Sequence, residues 1–96
     1  MEYTKALAIK PQDPALLTLR GNLYFAIREY DQAIPDYSKA IDVGPNPSEA
    51  YMQRGRAMAQ LGRLSEAKSD LEHALTIKPD LKDRVLGISN QFHLGL

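Results

Sequence analysis

Two consecutive stretches of 34 residues decide the fold: PALLTLRGNLYFAIREYDQAIPDYSKAIDVGPNP at positions 14–47 and SEAYMQRGRAMAQLGRLSEAKSDLEHALTIKPDL at positions 48–81. Six positions are identical when the second stretch is aligned with the first. They are Arg20 and Arg54, Gly21 and Gly55, Ala33 and Ala67, Asp36 and Asp70, Ala40 and Ala74, and Pro45 and Pro79. Small residues recur where helices must approach closely, and proline recurs where a helix must end. The period therefore predicts an array of helical repeats.

The period continues on both sides of these stretches. One period earlier, Tyr3, Lys5, Ala6 and Pro11 fall on Tyr37, Lys39, Ala40 and Pro45. We therefore predict a single domain over residues 1–96 with four parts: half a repeat (1–13), two full repeats (14–47 and 48–81) and a tail (82–96). In the tail, Val85, Ile88 and Phe92 have helical core spacing, so it is either a capping helix or the first helix of a third repeat. The lack of a further helix after it favours the cap.

Each full repeat is expected to contain two helices, A and B. Asp13 before Pro14 predicts the first start, since aspartate caps helix N-termini and proline suits the first turn. Asn46 before Pro47 repeats this signal, and Glu49 would complete a capping box. Apolar periodicity then predicts A helices at about 14–27 and 47–60 and B helices at about 31–43 and 65–77.

Two glycines indicate how the helices pack. Gly21 and Gly55 lie in the middle of the predicted A helices, where glycine costs about 1 kcal/mol relative to alanine. A helix tolerates this cost where a neighbouring helix must approach its backbone. Ala33 and Ala67 on the B helices are the expected facing partners. Each helix pair then buries an apolar face on the next pair.

Composition excludes several classes of function. Lys plus Arg number 12 and Asp plus Glu number 12, so the net charge is zero. A balanced charge argues against a main role in binding nucleic acid or an anionic membrane. The chain has no cysteine, and no apolar run approaches the roughly 18 residues of a membrane span. The start lacks the apolar stretch of a signal peptide. We leave the compartment open, with a slight preference for the cytoplasm.

These residues together resemble the tetratricopeptide-repeat (TPR) family. The family pattern is met in the first repeat by Leu17, Gly21, Tyr24, Ala33, Tyr37, Ala40 and Pro45. The second repeat has Tyr51, Gly55, Met58, Ala67, Leu71, Ala74 and Pro79. Leu17 departs from the usual Trp, and Arg20 and Arg54 depart from the usual Leu. The resemblance implies an all-α fold, a right-handed α-α superhelix (TPR solenoid) of two full repeats flanked by a partial N-terminal repeat and a C-terminal capping helix.

The resemblance also implies a function, that of a non-catalytic protein–protein interaction scaffold. A peptide or helix of a partner would bind in a concave groove lined by the A helices. The expected groove-facing residues are Ala15, Thr18, Leu19, Asn22, Phe25, Glu49, Met52, Gln53, Arg56, Ala59, Gln60, Asp83, Leu86, Gly87, Asn90 and His93. Among them we assign binding to Thr18, Asn22, Phe25, Met52, Gln53, Arg56 and Asn90. Amides would bind the ligand backbone, Arg56 a carboxylate or carbonyl, and Phe25 and Met52 an apolar side chain.

One function of the family can be compared residue by residue. Some members bind the C-terminal Glu-Glu-Val-Asp tails of chaperones through Lys, Asn, Asn, Lys and Arg on successive A helices. Only Asn22 is present here, while Thr18, Gln53, Asp83 and Gly87 occupy the other positions. Because Asp83 would repel a terminal carboxylate, we expect no binding of chaperone C-terminal tails.

The sequence gives little support for an enzymatic function. Ser69, Asp70 and His73 could suggest a hydrolytic set, but Ser69 and His73 are expected on an outward helix face with no oxyanion hole. His93 has no second histidine at metal-ligand spacing. The six glycines are dispersed rather than gathered in a phosphate loop. We expect no enzyme activity, no metal and no cofactor.

The N-terminal segment, about residues 1–10, is predicted to form a B helix that has no A helix before it. Tyr3 and Leu7 would leave an apolar stripe without its usual partner. Three explanations remain open: the chain is a segment of a longer array, which we favour; the stripe pairs with another copy; or the helix frays. The alternative function is therefore a structural assembly module that self-associates into a homo-oligomer through end residues Tyr3, Leu7 and Phe92.

Overall fold

The structure, a computed structural model, describes residues 12–96, and these residues form five α-helices and no strand. The helices are α1 (Pro14–Ala26), α2 (Tyr30–Val43), α3 (Ser48–Gln60), α4 (Leu64–Ile77) and α5 (Lys82–Phe92), with a 3-10 turn at Pro79–Leu81 before α5. Each helix packs mainly on its neighbours in sequence, so α1 with α2 and α3 with α4 form consecutive pairs. None of these five helices is long and apolar enough to cross a bilayer.

Of the two predicted N-terminal caps, one is confirmed and the other is wrong. The Asp13 carboxylate accepts hydrogen bonds from the N–H groups of Ala15 (3.0 Å) and Leu16 (3.2 Å), which confirms the predicted cap of α1. The capping box predicted for α3 is wrong. Pro47 occupies the N-cap position without a side-chain cap, and the Glu49 carboxylate is bound by Arg84 of α5 instead.

The close approach predicted at the glycines is present in both repeats. A methyl group added at Gly21 would lie 2.6 Å from Cε1 of the buried Tyr37 ring. Tyr37, rather than the predicted Ala33, is therefore the facing partner in the first repeat. At Gly55 an added methyl group would lie 3.0 Å from the Ala67 carbonyl oxygen, as the alignment predicted.

The identical arginines and aspartates form an ion pair in each repeat. The sequence analysis did not predict these ion pairs. Arg20 donates two hydrogen bonds to Asp36, at 2.8 and 2.6 Å, and Arg54 donates two to Asp70, both at 2.8 Å. Both aspartates are only 5% exposed. The hydrogen bonds raise the pKa of each arginine above its ordinary value. Arg54 also donates to the Ser38 hydroxyl at 3.1 Å, so it connects α3 to both flanking helices.

The last helix continues the apolar core, as its spacing predicts. Val85 and Ile88 are buried, and Ser89 occupies the predicted small-residue position. Beyond α5 the chain turns back, because the N–H of Leu94 donates to the Ser89 carbonyl and that of Leu96 to the Ser89 hydroxyl, each at 2.9 Å.

Little of the predicted self-association stripe can be located. Phe92 is partly buried and packs against the core cluster around Val85, rather than forming a free apolar face. Tyr3 and Leu7 lie outside the described residues.

Candidate functional site

Two neighbouring cavities lie along α1, α3 and α5, and the first of them also borders α2 and the loop that follows it. The first, here named the apolar cavity, has a volume of about 510 Å³. It is lined by Pro14, Ala15, Thr18, Leu19, Asn22, Ala40, Gly44, Pro45, Asn46, Pro47, Glu49 and Ala50. The second, here named the arginine cavity, has a volume of about 340 Å³. It is lined by Phe25, Met52, Gln53, Arg56, Gln60, Arg84, Gly87, Ile88 and Gln91.

Arg56 is held in the arginine cavity by an aromatic ring. Its guanidinium carbon lies 4.0 Å from the ring centroid of Phe25, a cation–π distance, and Phe25 is in turn supported edge-on by Tyr30, with 5.0 Å between ring centroids. Within residues 12–96, Arg56 forms no ion pair with a carboxylate. The contact holds the guanidinium over the ring and leaves its N–H donors for a ligand.

Arg84 provides the second cation of the arginine cavity. Its two terminal nitrogens donate to the two carboxylate oxygens of Glu49, each at 3.2 Å. The amide nitrogen of Gln53 donates to the same carboxylate at 3.2 Å. The side chains of Arg84 and Glu49 are 56% and 44% exposed, so this pair lies at the rim, where an ion pair contributes little to stability.

Asn22 and Tyr37 form a polar contact beside the apolar cavity. The Tyr37 hydroxyl donates to the Asn22 side-chain oxygen at 2.6 Å, and the Tyr37 ring is fully buried. Burial raises the pKa of Tyr37 well above its ordinary value. Because the Asn22 oxygen is occupied in this way, its amide nitrogen is the group available to a ligand. Thr18, one turn earlier, donates its hydroxyl to the Pro14 carbonyl at 2.9 Å.

The structure brings most of the predicted site residues to the two cavities. Thr18 and Asn22 line the apolar cavity, whereas Phe25, Gln53 and Arg56 line the arginine cavity. Met52 also borders the arginine cavity, but only 1% of it is exposed and it belongs to the core. Asn90 is exposed and lines neither cavity.

From α5, Arg84, Gly87, Ile88 and Gln91 line the arginine cavity. The 34-residue frame predicted Gly87 to face the groove but placed Asp83 there in place of Arg84 and did not predict Gln91. These four have the spacing of one helix face. This face could have been predicted from the apolar positions of α5, because Ile88 belongs to it and Val85 adjoins it. Extending the 34-residue period was the less reliable guide.

The residues that suggested a hydrolytic set are not assembled into one. Asp70 is buried against Arg54, while Ser69 and His73 are exposed. The His73 ring stacks on Tyr51 with 5.1 Å between centroids. The carboxylate of Asp70 is therefore bound to Arg54 and does not pair with this histidine.

Comparisons with known proteins place this geometry in context. A family model described as "Tetratricopeptide repeat" matches residues 18–81. RNA polymerase II-associated protein 3 of Homo sapiens is 35% identical over 78 residues, which is 81% of this chain but only 12% of that protein. The first TPR of Spaghetti (RPAP3), bound to HSP90 peptide SRMEEVD, has a TM-score of 0.81 at 31% identity. The second TPR domain of human RPAP3, in complex with HSP70 peptide SGPTIEEVD, has a TM-score of 0.86 at 31% identity. Each alignment covers 95% of this chain and 75% of the other.

These similar structures confirm the predicted right-handed superhelix of helix pairs. They also contradict our expectation that no chaperone C-terminal tail would bind, because both hold peptides ending in Glu-Glu-Val-Asp. The expectation equated tail binding with five clamp side chains at fixed positions. It did not consider that Arg56, already assigned to the groove, and Arg84, which reaches it from α5, are cations at other positions.

Proposed function

Because the chain belongs to the tetratricopeptide-repeat family, whose members act as protein-interaction modules, we propose that it binds an acidic peptide of a partner protein in the groove between α1, α3 and α5. The proposal includes no catalytic step. Its partner class is the acidic C-terminal tail, the kind of ligand found on the two similar domains described above.

The observation that carries the proposal is the charge of the arginine cavity. Two guanidinium groups, Arg56 and Arg84, line it, and among residues 12–96 the carboxylate bound to its lining residues is that of Glu49, which pairs with Arg84 and not with Arg56. A guanidinium can bind a carboxylate through two parallel hydrogen bonds, which gives both strength and orientation. Since Arg56 has no carboxylate partner within residues 12–96, a ligand carboxylate can bind it without breaking an existing ion pair.

The other groove residues supply contacts that suit an extended peptide. Gln53, Gln60 and Gln91 offer amides to its backbone beside the two arginines, and Asn22 offers its amide nitrogen. The apolar cavity accommodates an apolar side chain of the ligand. Met52 and Asn90 have no part in this version of the site, because one is buried and the other lies outside both cavities.

The test is a calorimetric titration of the chain with the peptide SRMEEVD. A matched peptide has its acidic side chains replaced by amides and its C-terminus amidated. We expect the acidic peptide to bind and the amide peptide to bind at least tenfold more weakly. Arg56→Gln is expected to weaken acidic-peptide binding about tenfold, because a hydrogen bond to a charged group contributes about 1.5–3 kcal/mol.

Arg63→Gln is the matched control, since Arg63 is exposed before α4 and lines neither cavity. It removes the same charge and is expected to change the affinity less than twofold. Equal binding of the two peptides, or an Arg56→Gln variant that binds like the parent, would remove the basis of the proposal.

A further inference from the structure

Glu49 holds a negative charge at the boundary between the two cavities. Of the described residues that line the apolar cavity, Glu49 alone is charged, and its partner Arg84 lines the arginine cavity. The Gln53 amide also donates to Glu49, so a groove amide and a groove cation are both bound to this one carboxylate. The groove of the free protein thus already contains a carboxylate bound in the manner of a ligand.

Glu49 also lies beside the arginine cavity that contains Arg56. Its carboxylate is bound by Gln53 and Arg84, and both of these side chains line that cavity. An acidic ligand that binds Arg56 would come under repulsion from Glu49 as well as attraction to the arginines.

We infer that Glu49 is a specificity-determining residue that competes with ligand carboxylates for Arg84 and so limits how tightly the groove binds acidic peptides. The inference rests on the proposed function, because it concerns the affinity of the same site. When an acidic ligand binds, one of its carboxylates replaces Glu49 on Arg84, and the released Glu49 turns toward solvent. The exposure of both side chains leaves room for this exchange.

The exchange has a consequence for selectivity. An acidic peptide must displace Glu49 to use both arginines, whereas a neutral peptide gains nothing from displacing it. Glu49 therefore narrows the difference in affinity between acidic and neutral peptides, and removing its charge should widen that difference. The effect should shrink as salt is added, because exposed charges are screened.

The experiment compares Glu49→Gln with the parent chain in titrations with SRMEEVD and with its amide counterpart. We expect Glu49→Gln to bind the acidic peptide about fivefold more tightly, the upper end for an exposed ion pair, and to bind the amide peptide unchanged. In an Arg84→Gln background the same substitution is expected to tighten binding less than twofold, because the contested cation is absent.

Glu66→Gln is the matched control, since Glu66 is exposed in the first turn of α4 and lines neither cavity. An equal gain with Glu66→Gln would assign the effect to overall charge and overturn the inference. If the parent chain binds the acidic peptide but Glu49→Gln binds it no better, the inference fails and the proposed function stands. If neither chain binds it, the proposed function fails, and the inference fails with it.

Discussion

The two full repeats have the same arrangement of helices but differ in some of the side chains that pack between them. Both have an arginine–aspartate pair and a mid-helix glycine at equivalent positions. Where the first repeat places Tyr37, however, the second places Leu71. The Tyr37 ring packs on Gly21 and its hydroxyl reaches Asn22 at the groove, whereas Leu71 is a purely apolar core residue.

The comparison separates two kinds of position. Positions that are identical in both repeats, such as Arg20 and Arg54, hold the two helices of a pair together. Positions that differ, such as Tyr37 and Leu71, determine which side chains each helix pair packs in its core and which groups reach the groove. The predictions below test this division.

The largest effect is expected at Arg54, whose ion pair with Asp70 joins α3 to α4 and whose hydrogen bond to Ser38 joins the two repeats. Arg54→Met would leave the buried Asp70 without its partner and would also remove the bond to Ser38. Loss of one partner of a buried pair costs about 3–5 kcal/mol, and partial exposure of Arg54 places the expected loss near 3 kcal/mol. Urea unfolding gives the free energy directly.

Arg20→Met provides the comparison for the ion pair. Within residues 12–96, Arg20 donates hydrogen bonds to Asp36 alone, so we expect a smaller loss of about 2 kcal/mol. The exposed Arg63→Met serves as the control, with a loss below about 0.5 kcal/mol. A loss for Arg20→Met that equals or exceeds that for Arg54→Met would show that the bond to Ser38 adds nothing.

A medium effect is expected from the glycines. Gly21→Ala places a methyl group 2.6 Å from a buried ring, and overpacking of this kind costs about 1–3 kcal/mol against a gain of about 1 kcal/mol in helix propensity. The difference is a net loss of about 0–2 kcal/mol, and the 2.6 Å contact with a buried ring places our expectation at about 2 kcal/mol. Gly55→Ala should cost less, since its closest new contact is 3.0 Å.

Tyr37→Leu tests the reason for that difference, because it gives the first repeat the residue of the second. In the Tyr37→Leu background the cost of Gly21→Ala, measured by urea unfolding, should fall by more than half. An unchanged cost would mean that the ring is not the obstacle.

The smallest effect concerns alkaline pH. Burial raises the folded-state pKa of Tyr37 above its unfolded value of about 10, so the unfolded chain loses this proton first. The stability that Tyr37 contributes is complete below about pH 10 and is lost as the pH rises further. The slope is at most about 1.4 kcal/mol per pH unit.

Tyr37→Phe should therefore lose stability more slowly than the parent chain between pH 10 and pH 11, although it starts about 1 kcal/mol lower because the bond to Asn22 is gone. Tyr24→Phe, which changes a partly exposed ring, is the control. Thermal unfolding at several pH values measures both. Parallel curves for Tyr37→Phe and the parent chain would contradict the assignment.

The fold could be predicted because its determinants recur at a fixed spacing. Gly21 with Gly55, and Ala33 with Ala67, can be aligned by eye, and Asp13 with Pro14 marks a helix start through local chemistry alone. The recurrence of Arg20 with Asp36, and of Arg54 with Asp70, was visible in the same alignment. It was not read as an ion pair because the partners are 16 residues apart and meet only when the helices fold back.

The site was harder to predict because it depends on the rotation of each helix. In α1 and α3 the repeat frame gave Asn22, Phe25 and Arg56 correctly as residues that face the two cavities. In α5 the frame gave Gly87 but missed Arg84, because the face that α5 turns to the cavity is shifted from the one that the repeat frame predicts. The partner of Glu49 could not be predicted either. Its carboxylate can bind either the backbone N–H at the start of α3, as a capping box requires, or a side chain of another helix, as it does with Arg84.

The central claim is that an acidic peptide binds across the arginine cavity. Its most direct test is a map of backbone amide chemical shifts in the labelled chain as the unlabelled peptide SRMEEVD is added. We expect the largest changes at Phe25, Gln53, Arg56 and Gly87, and none along the exposed face of α4 around Lys68 and Glu72. Changes concentrated on that face of α4, with the arginine cavity unaffected, would contradict the account.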